Sequence, residues 1–254
     1  MAPVEQLIAN IQRKLWIKGA NGDIIEMLAS KKNPLKIPEK GNFLDVGCGK
    51  GDFLRYAASK LPNYICHGTE LDKNLIEYIQ GSSDEYYKKL NISKGDLLNC
   101  NFDSNSFDIV TILHVLEHLP NPRRILEEAK RILCPGGLLI IAVPNYQSFI
   151  RNIYGTSWPY FRYPFHLYHY STSNLSLFLK DLGFEIIKAK SYYFSSFHMA
   201  YLITKLLKNY LPFGLFQKEK LLELVGYRME YYASSFFSWG KFGEQVRIYC
   251  RKPD

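Results

Sequence analysis

Apolar positions recur at helical spacing over residues 4–17 and 22–30, which predicts two short helices. Lys31-Lys32-Asn33-Pro34 and Pro38 then break the pattern and mark a connector. Beyond it, compact apolar runs alternate with amphipathic stretches. Residues 42–46, 64–69, 91–93, 107–113 and 138–143 read as strands, with helices over 52–60, 73–80 and 122–133 between them. The last of these helices opens on Pro122, whose fixed φ and missing N–H suit a first turn. It closes before Pro135-Gly136-Gly137. Such alternation predicts an α/β fold, a doubly wound parallel sheet with helices on both faces.

The C-terminal part changes character. Residues 146–170 form a long aromatic loop, followed by a helix over 172–182 that Gly183 closes and a strand over 184–189. Amphipathic helices are predicted over 195–210 and 217–225, and a last strand over 245–250. The chain thus divides into a helical segment (1–40), an α/β domain (41–191 with 243–254) and an insertion (192–242) read as a helical cap over an acceptor site.

Chemistry concentrates where the first strand ends, in Asp45-Val46-Gly47-Cys48-Gly49-Lys50-Gly51. Glycines at alternate positions let the backbone turn tightly and let a ligand lie on main-chain N–H groups with no Cβ between. The spacing is not the G-x-G-x-x-G of a pyrophosphate cradle, and no G-K-[ST] is present. A turn of this kind, preceded by Asp45, suits a ligand carrying an amino acid and a nucleoside but no phosphates. Three further segments lie at strand ends, where open α/β sheets bind ligands. Glu70, before Leu71, can accept from ribose hydroxyls. Asp96 can accept from an adenine amino group while Leu97 packs on the ring. Leu113 and His114 open the segment His114-Val115-Leu116-Glu117-His118 after the fourth strand.

This combination resembles the class I S-adenosylmethionine-dependent methyltransferases, over roughly residues 41–190 and the last strand. The glycine turn, Glu70, Asp96, His114–Pro120 and Leu133-Cys134-Pro135-Gly136-Gly137 carry the resemblance. His166-Leu167-Tyr168-His169-Tyr170-Ser171-Thr172 is similar to the pattern that follows the fifth strand in quinone-biosynthetic and sugar O-methyltransferases. The resemblance implies a seven-stranded, Rossmann-like sheet of order 3-2-1-4-5-7-6 with the last strand antiparallel. It implies S-adenosylmethionine as donor and S-adenosylhomocysteine as product. Asp45, Gly47, Cys48, Gly49 and Gly51 would hold the methionine moiety, Glu70 and Leu71 the ribose side, and Asp96 and Leu97 the adenine. Leu113 and His114 would line the sulfonium end.

A hydroxyl or amine acceptor must lose a proton, and imidazole is matched to that task near neutral pH. His166 and His169, set among Trp158, Tyr160 and Tyr163, are the candidate bases, with the aromatic side chains as acceptor contacts. The other reading is that both histidines merely fix the loop's shape. His114 and His118, at i and i+4, would share a helix face, but no third ligand stands at usual spacing and the order is not H-E-x-x-H. No metal is therefore expected.

Composition narrows the partners. With 47% hydrophobic and 22% charged residues, the chain is not disordered. Five scattered cysteines without a C-x-x-C pair point to a reduced, cytoplasmic protein. Neither an export signal nor a membrane span is expected, because the first twenty residues are interrupted by polar side chains and so is the apolar stretch 192–216. The net charge is +8. Residues 1–40 carry 7 basic and 4 acidic side chains, 41–150 carry 11 and 13, and 151–254 carry 14 and 7. The donor-binding half is near neutral and the excess lies outside it. The expected acceptor is a small molecule, with an anionic or lipid-linked one favoured by the charge. Peripheral membrane contact through 195–210 is the sharper alternative to a helix packed as a lid. Nucleic acid is not expected, since Asn/Asp-Pro-Pro-Tyr is lacking and the basic residues are scattered. A donor-binding module without catalysis is the competing class.

Overall fold

The computed structural model describes residues 21–192 and 243–254. The helices expected over 4–17, 195–210 and 217–225, and the cap with its membrane-facing alternative, lie outside the described residues. Elements follow in the order α1 (Gly22–Leu28), β1 (Gly41–Val46), α2 (Asp52–Lys60), β2 (Tyr64–Glu70), α3 (Lys73–Gln80), β3 (Leu90–Lys94) and β4 (Phe107–Leu113). Then come α4 (Pro122–Ile132), β5 (Leu133–Pro144), α5 (Phe149–Tyr154), α6 (Thr172–Asp181), β6 (Glu185–Tyr192) and β7 (Gln245–Arg251).

The strands form one sheet in the order β3-β2-β1-β4-β5-β7-β6. β1 to β5 run parallel, and β7 is antiparallel to both β5 and β6. Side chains alternate between the faces. Along β4, Ile109 packs with Phe43, Ile140 and the α1–α2 layer, whereas Val110 and Ile112 pack with Leu44, Ile141 and the α4–α6 layer. Ile125, Leu126, Ala129 and Ile132 give α4 its buried stripe. Asn121 caps α4 through Arg124 N–H, and Ser171 and Asn174 form a reciprocal capping box on α6.

Two expectations need correction. Pro135-Gly136-Gly137 is not a turn before the fifth strand, because β5 already begins at Leu133. Gly136, at φ +69°, absorbs an irregularity in pairing with β4, and Gly136 N–H and Gly137 C=O bond to Lys252. Backbone partners just past the C-terminal strand thus extend β5 through a sequence that looks like a breaker. The loop after β5 also contains one α-helix, α5, and a 3-10 turn at Gly155–Ser157.

Two ties hold the C-terminal strands. Arg247, fully buried, donates to Asp23 Oδ2 on α1 at 2.6 Å and lies over the Tyr192 ring. Tyr192 pairs with Gln245, and Gly243 N–H donates to Ser191 Oγ at 3.0 Å.

Candidate active site

The β1–α2 turn is built by backbone conformations that side chains resist. Gly47, Gly49 and Gly51 have φ of +69°, +56° and +72°, where a Cβ costs ~1–2 kcal/mol. They differ in what surrounds them. A Cβ on Gly47 would meet Val115 Cγ2 at 2.7 Å, so the segment after β4 lies directly on the turn. A Cβ on Gly49 would meet nothing within 4 Å, which leaves open ground above the backbone. Cys48 is buried against Gly68, where a Cβ would come 2.7 Å from its Sγ. Burial pushes the Cys48 thiol up, so it remains protonated and fills space rather than reacting.

Polar groups from β1, β2 and β4 fix this turn. Thr69 accepts from Gly47 N–H through Oγ1 (3.2 Å) and from Cys48 N–H through its carbonyl (2.9 Å). Asp45 is buried beside Thr111, whose hydroxyl donates to Oδ1 at 2.6 Å. Burial pushes the Asp45 carboxyl up to about 7. Thr111 opposes the shift, and the charge of Glu70 adds to it. A buried carboxyl poised in this way gains most from a cation placed against it. Glu70 accepts Gly49 N–H on Oε2 (2.8 Å) and Leu71 and Asp72 N–H on Oε1 (2.8 and 2.9 Å). Leu71 beside it is 66% exposed, an apolar side chain at the lip of the crevice.

At the end of β3, Asp96 Oδ1 accepts Asn99 N–H at 2.9 Å. Leu97 is fully buried in the core cluster with Leu44 and Val46. Leu113 is partly buried against the opposite cluster.

The segment after β4 departs from the helix expected there. His114 has φ +56°, and only Leu116–His118 form a single 3-10 turn, so His114 and His118 do not share a helix face. His114 Nε2 lies 2.9 Å from the Gln245 amide nitrogen at the start of β7 and its Nδ1 lies 3.5 Å from Glu117 Oε1. His118 instead faces His166, ring centroids 4.6 Å apart.

The loop 146–170 is an aromatic box. Trp158 is buried, with edges toward Tyr146, Tyr160 and Phe161. His169 packs inside it, stacked on Tyr146 and edge-on to Phe161. Trp158 therefore anchors the loop, while Tyr163, 87% exposed, stands away from it. His166 is buried, and its Nδ1–H donates to Tyr160 C=O at 2.8 Å, so in the neutral ring the lone pair is on Nε2. Burial holds both His166 and His169 below the usual imidazole range. Glu117 C=O accepts Leu167 N–H at 2.8 Å and so joins the loop to the segment after β4. Thr69, Gly68, Thr111, Val115, Glu117, His118 and Gln245 are site residues to which motif reading gives no role. Val115, Glu117 and His118 stand inside the motif after the fourth strand, and the others carry no local signal.

A crevice over a glycine turn, with acids at the ends of successive strands, defines a class I S-adenosylmethionine-dependent methyltransferase domain. Residues 16–189 match the methyltransferase domain family, and the chain belongs to it. It is 28% identical over 139 residues to a ubiquinone biosynthesis O-methyltransferase of Coxiella burnetii, covering 54% of this chain and 56% of that one. The chain thus matches about half the length of that relative. An uncharacterized protein of Methanocaldococcus jannaschii is 31% identical over 150 residues, 59% of this chain and 67% of its own. A phosphoethanolamine N-methyltransferase of Haemonchus contortus, solved with S-adenosyl-L-methionine, superposes with a TM-score of 0.59 at 17% identity, covering 97% of this chain and 57% of that one. An Archaeoglobus fulgidus methyltransferase gives 0.57 at 19%, covering 96% and 99%. At these identities the superpositions establish the fold.

The residues fit the donor. Open ground over Gly49 can receive the methionine moiety, Asp45 can face its ammonium, and the Glu70 carboxylate lies where a ribose is expected.

Proposed function

We propose that the protein transfers a methyl group from S-adenosylmethionine to an oxygen of a small-molecule acceptor lying between the segment after β4 and the aromatic loop. The observation that carries this reading is the placement of two histidines beside the segment after β4, His166 buried and His169 packed against Tyr146 and Phe161, with burial holding both below the usual imidazole range. The donor, when bound, supplies an already activated methyl group. The chain's task is alignment, which accounts for ~7–11 kcal/mol in well-oriented reactions, and removal of the acceptor proton, worth roughly 10²–10⁴-fold.

His166 and His169 divide that work. His166 lies beside His118 and Glu117, and suits positioning the acceptor oxygen. His169 sits among Tyr146, Trp158 and Phe161, and suits taking the proton from an acceptor whose apolar face lies on those rings. The O-methyltransferase relative supports an oxygen acceptor. The basic excess of residues 151–254 supports an anionic one. The test is turnover of labelled donor with catechol-type and sugar acceptors in wild type, His166→Gln and His169→Gln. A loss of at least ~100-fold in kcat for His169→Gln, with S-adenosylhomocysteine affinity retained, is expected. Full activity in both variants would refute the assignment.

A further inference from the structure

Glu117, His118 and His166 come from two distant stretches of chain, yet a ligand-type atom of each lies within 4.8 Å of the other two. Three features distinguish this cluster from a chance meeting of polar side chains. Glu117 is 1% exposed, and its Oε2 has no hydrogen-bond partner. A buried carboxylate oxygen left unpaired is costly, and this one sits among imidazoles. Each histidine is oriented by a carbonyl: His118 Nδ1 lies 2.8 Å from Phe165 C=O, and His166 Nδ1 lies 2.8 Å from Tyr160 C=O. A carbonyl can only accept, so each Nδ1 carries a proton, and in the neutral imidazole the lone pair then falls on Nε2. Finally, the carboxylate has its own support, with His114 Nδ1 3.5 Å from Oε1 and the Glu117 carbonyl bonded to Leu167 and Tyr168 N–H. Imidazoles oriented through their second nitrogen, beside a supported carboxylate, are the outer arrangement that metal-binding histidines require.

We propose that Glu117 and the Nε2 atoms of His118 and His166 bind one divalent transition-metal cation. Two imidazoles and one carboxylate suit Zn²⁺, Mn²⁺, Fe²⁺ or Co²⁺ better than the all-oxygen preferences of Mg²⁺ and Ca²⁺. Ligand atoms on one such ion at ~2.1 Å stand roughly 3.4 Å apart in tetrahedral geometry. Each side chain therefore needs to move by less than about an ångström, within the reach of small rotations. His118 is exposed, so the cluster opens to solvent and leaves positions for water or an acceptor oxygen. The cation site stands on these residues alone. Its contribution to the reaction, holding an anionic acceptor oxygen while His169 takes the proton, rests on the methyl-transfer reading above.

The test uses the untagged full chain, stripped with chelator and titrated with Co²⁺ while its visible absorption is recorded. S-adenosylhomocysteine affinity is measured on the same samples by calorimetry. One Co²⁺ per chain is expected, competed by Zn²⁺ and weakened at least ~100-fold in Glu117→Gln and in His118→Asn. Since His118 is exposed, His118→Asn does not threaten the fold, and retained S-adenosylhomocysteine binding certifies it. Failure of the wild type to bind Co²⁺ while it binds S-adenosylhomocysteine would overturn the proposal, as would equal Co²⁺ affinity in both variants. Co²⁺ binding without S-adenosylhomocysteine binding would support the cation site and count against the methyl-transfer reading.

Discussion

Replacing Asp45 by Asn should change how the protein's stability and its donor affinity respond to pH. The carboxyl is buried, and its pKa is pushed up to about 7. In an unfolded chain it would be ~3.9, and each unit is ~1.4 kcal/mol, so the ionised folded form bears a penalty of about 4 kcal/mol. Below pH ~4 the carboxyl is protonated whether the chain is folded or not, and the penalty is absent. It grows as pH rises and is complete above 7. Between pH 5 and pH 8 this one group removes about 2–3 kcal/mol of stability. The amide introduced by Asp45→Asn would keep an acceptor for the Thr111 hydroxyl but cannot ionise, and its unpaired NH₂ adds a pH-independent cost of ~1–3 kcal/mol. Urea unfolding of both proteins at pH 5 and 8 isolates the effect, because every other titrating group cancels. The wild type should lose about 2–3 kcal/mol more than Asp45→Asn across that interval. Calorimetry with S-adenosylhomocysteine gives the partner measurement. Wild-type affinity should fall as pH drops below 7, because the carboxylate facing the ligand's ammonium becomes protonated, whereas the variant binds weakly at both values. Parallel stability curves would refute the argument at its root.

Three other outcomes follow from the same geometry. Gly49→Ala should cost only ~1–2 kcal/mol of stability, from φ alone, yet lower S-adenosylhomocysteine affinity at least ~10-fold because the new Cβ occupies the open ground; unchanged affinity would remove the cradle from that spot. Thr111→Val removes the hydrogen bond that opposes the Asp45 shift, so the midpoint of the pH dependence of donor binding should move upward by about 1–2 units, and a downward move would be incompatible with the pairing. Leu97→Ala should destabilise by ~2–5 kcal/mol in chemical unfolding while leaving S-adenosylhomocysteine affinity of the folded protein intact; lost affinity in a fully folded variant would return Leu97 to the adenine site.

Much of this architecture is legible in the chain because its determinants are local. The helices Asp52–Lys60 and Lys73–Gln80 and the strand Phe107–Leu113 lie where periodicity places them. The glycine turn is readable too, since positive φ at alternate positions has few other solutions. Local pattern makes β5 too short, because pairing with Lys252, far along the chain, overrides the breaker chemistry of Pro135-Gly136-Gly137. Spacing sets Leu97 after Asp96 but says nothing about how deeply the side chain is buried, which the fold decides. Glu117, His118 and His166 illustrate the same limit most sharply. Helical periodicity links His114 with His118, but one residue at positive φ breaks that helix and turns His118 toward a partner 48 positions away.

The pairing of Tyr192 with Gln245, reinforced by Gly243 on Ser191, holds residues 53 apart in sequence one strand spacing apart. Because side chains alternate between the faces, a slip of β7 by one position would send Arg247 to the opposite face and take it from Asp23. The ion pair to α1 thus acts as a pin on the register of the last two strands.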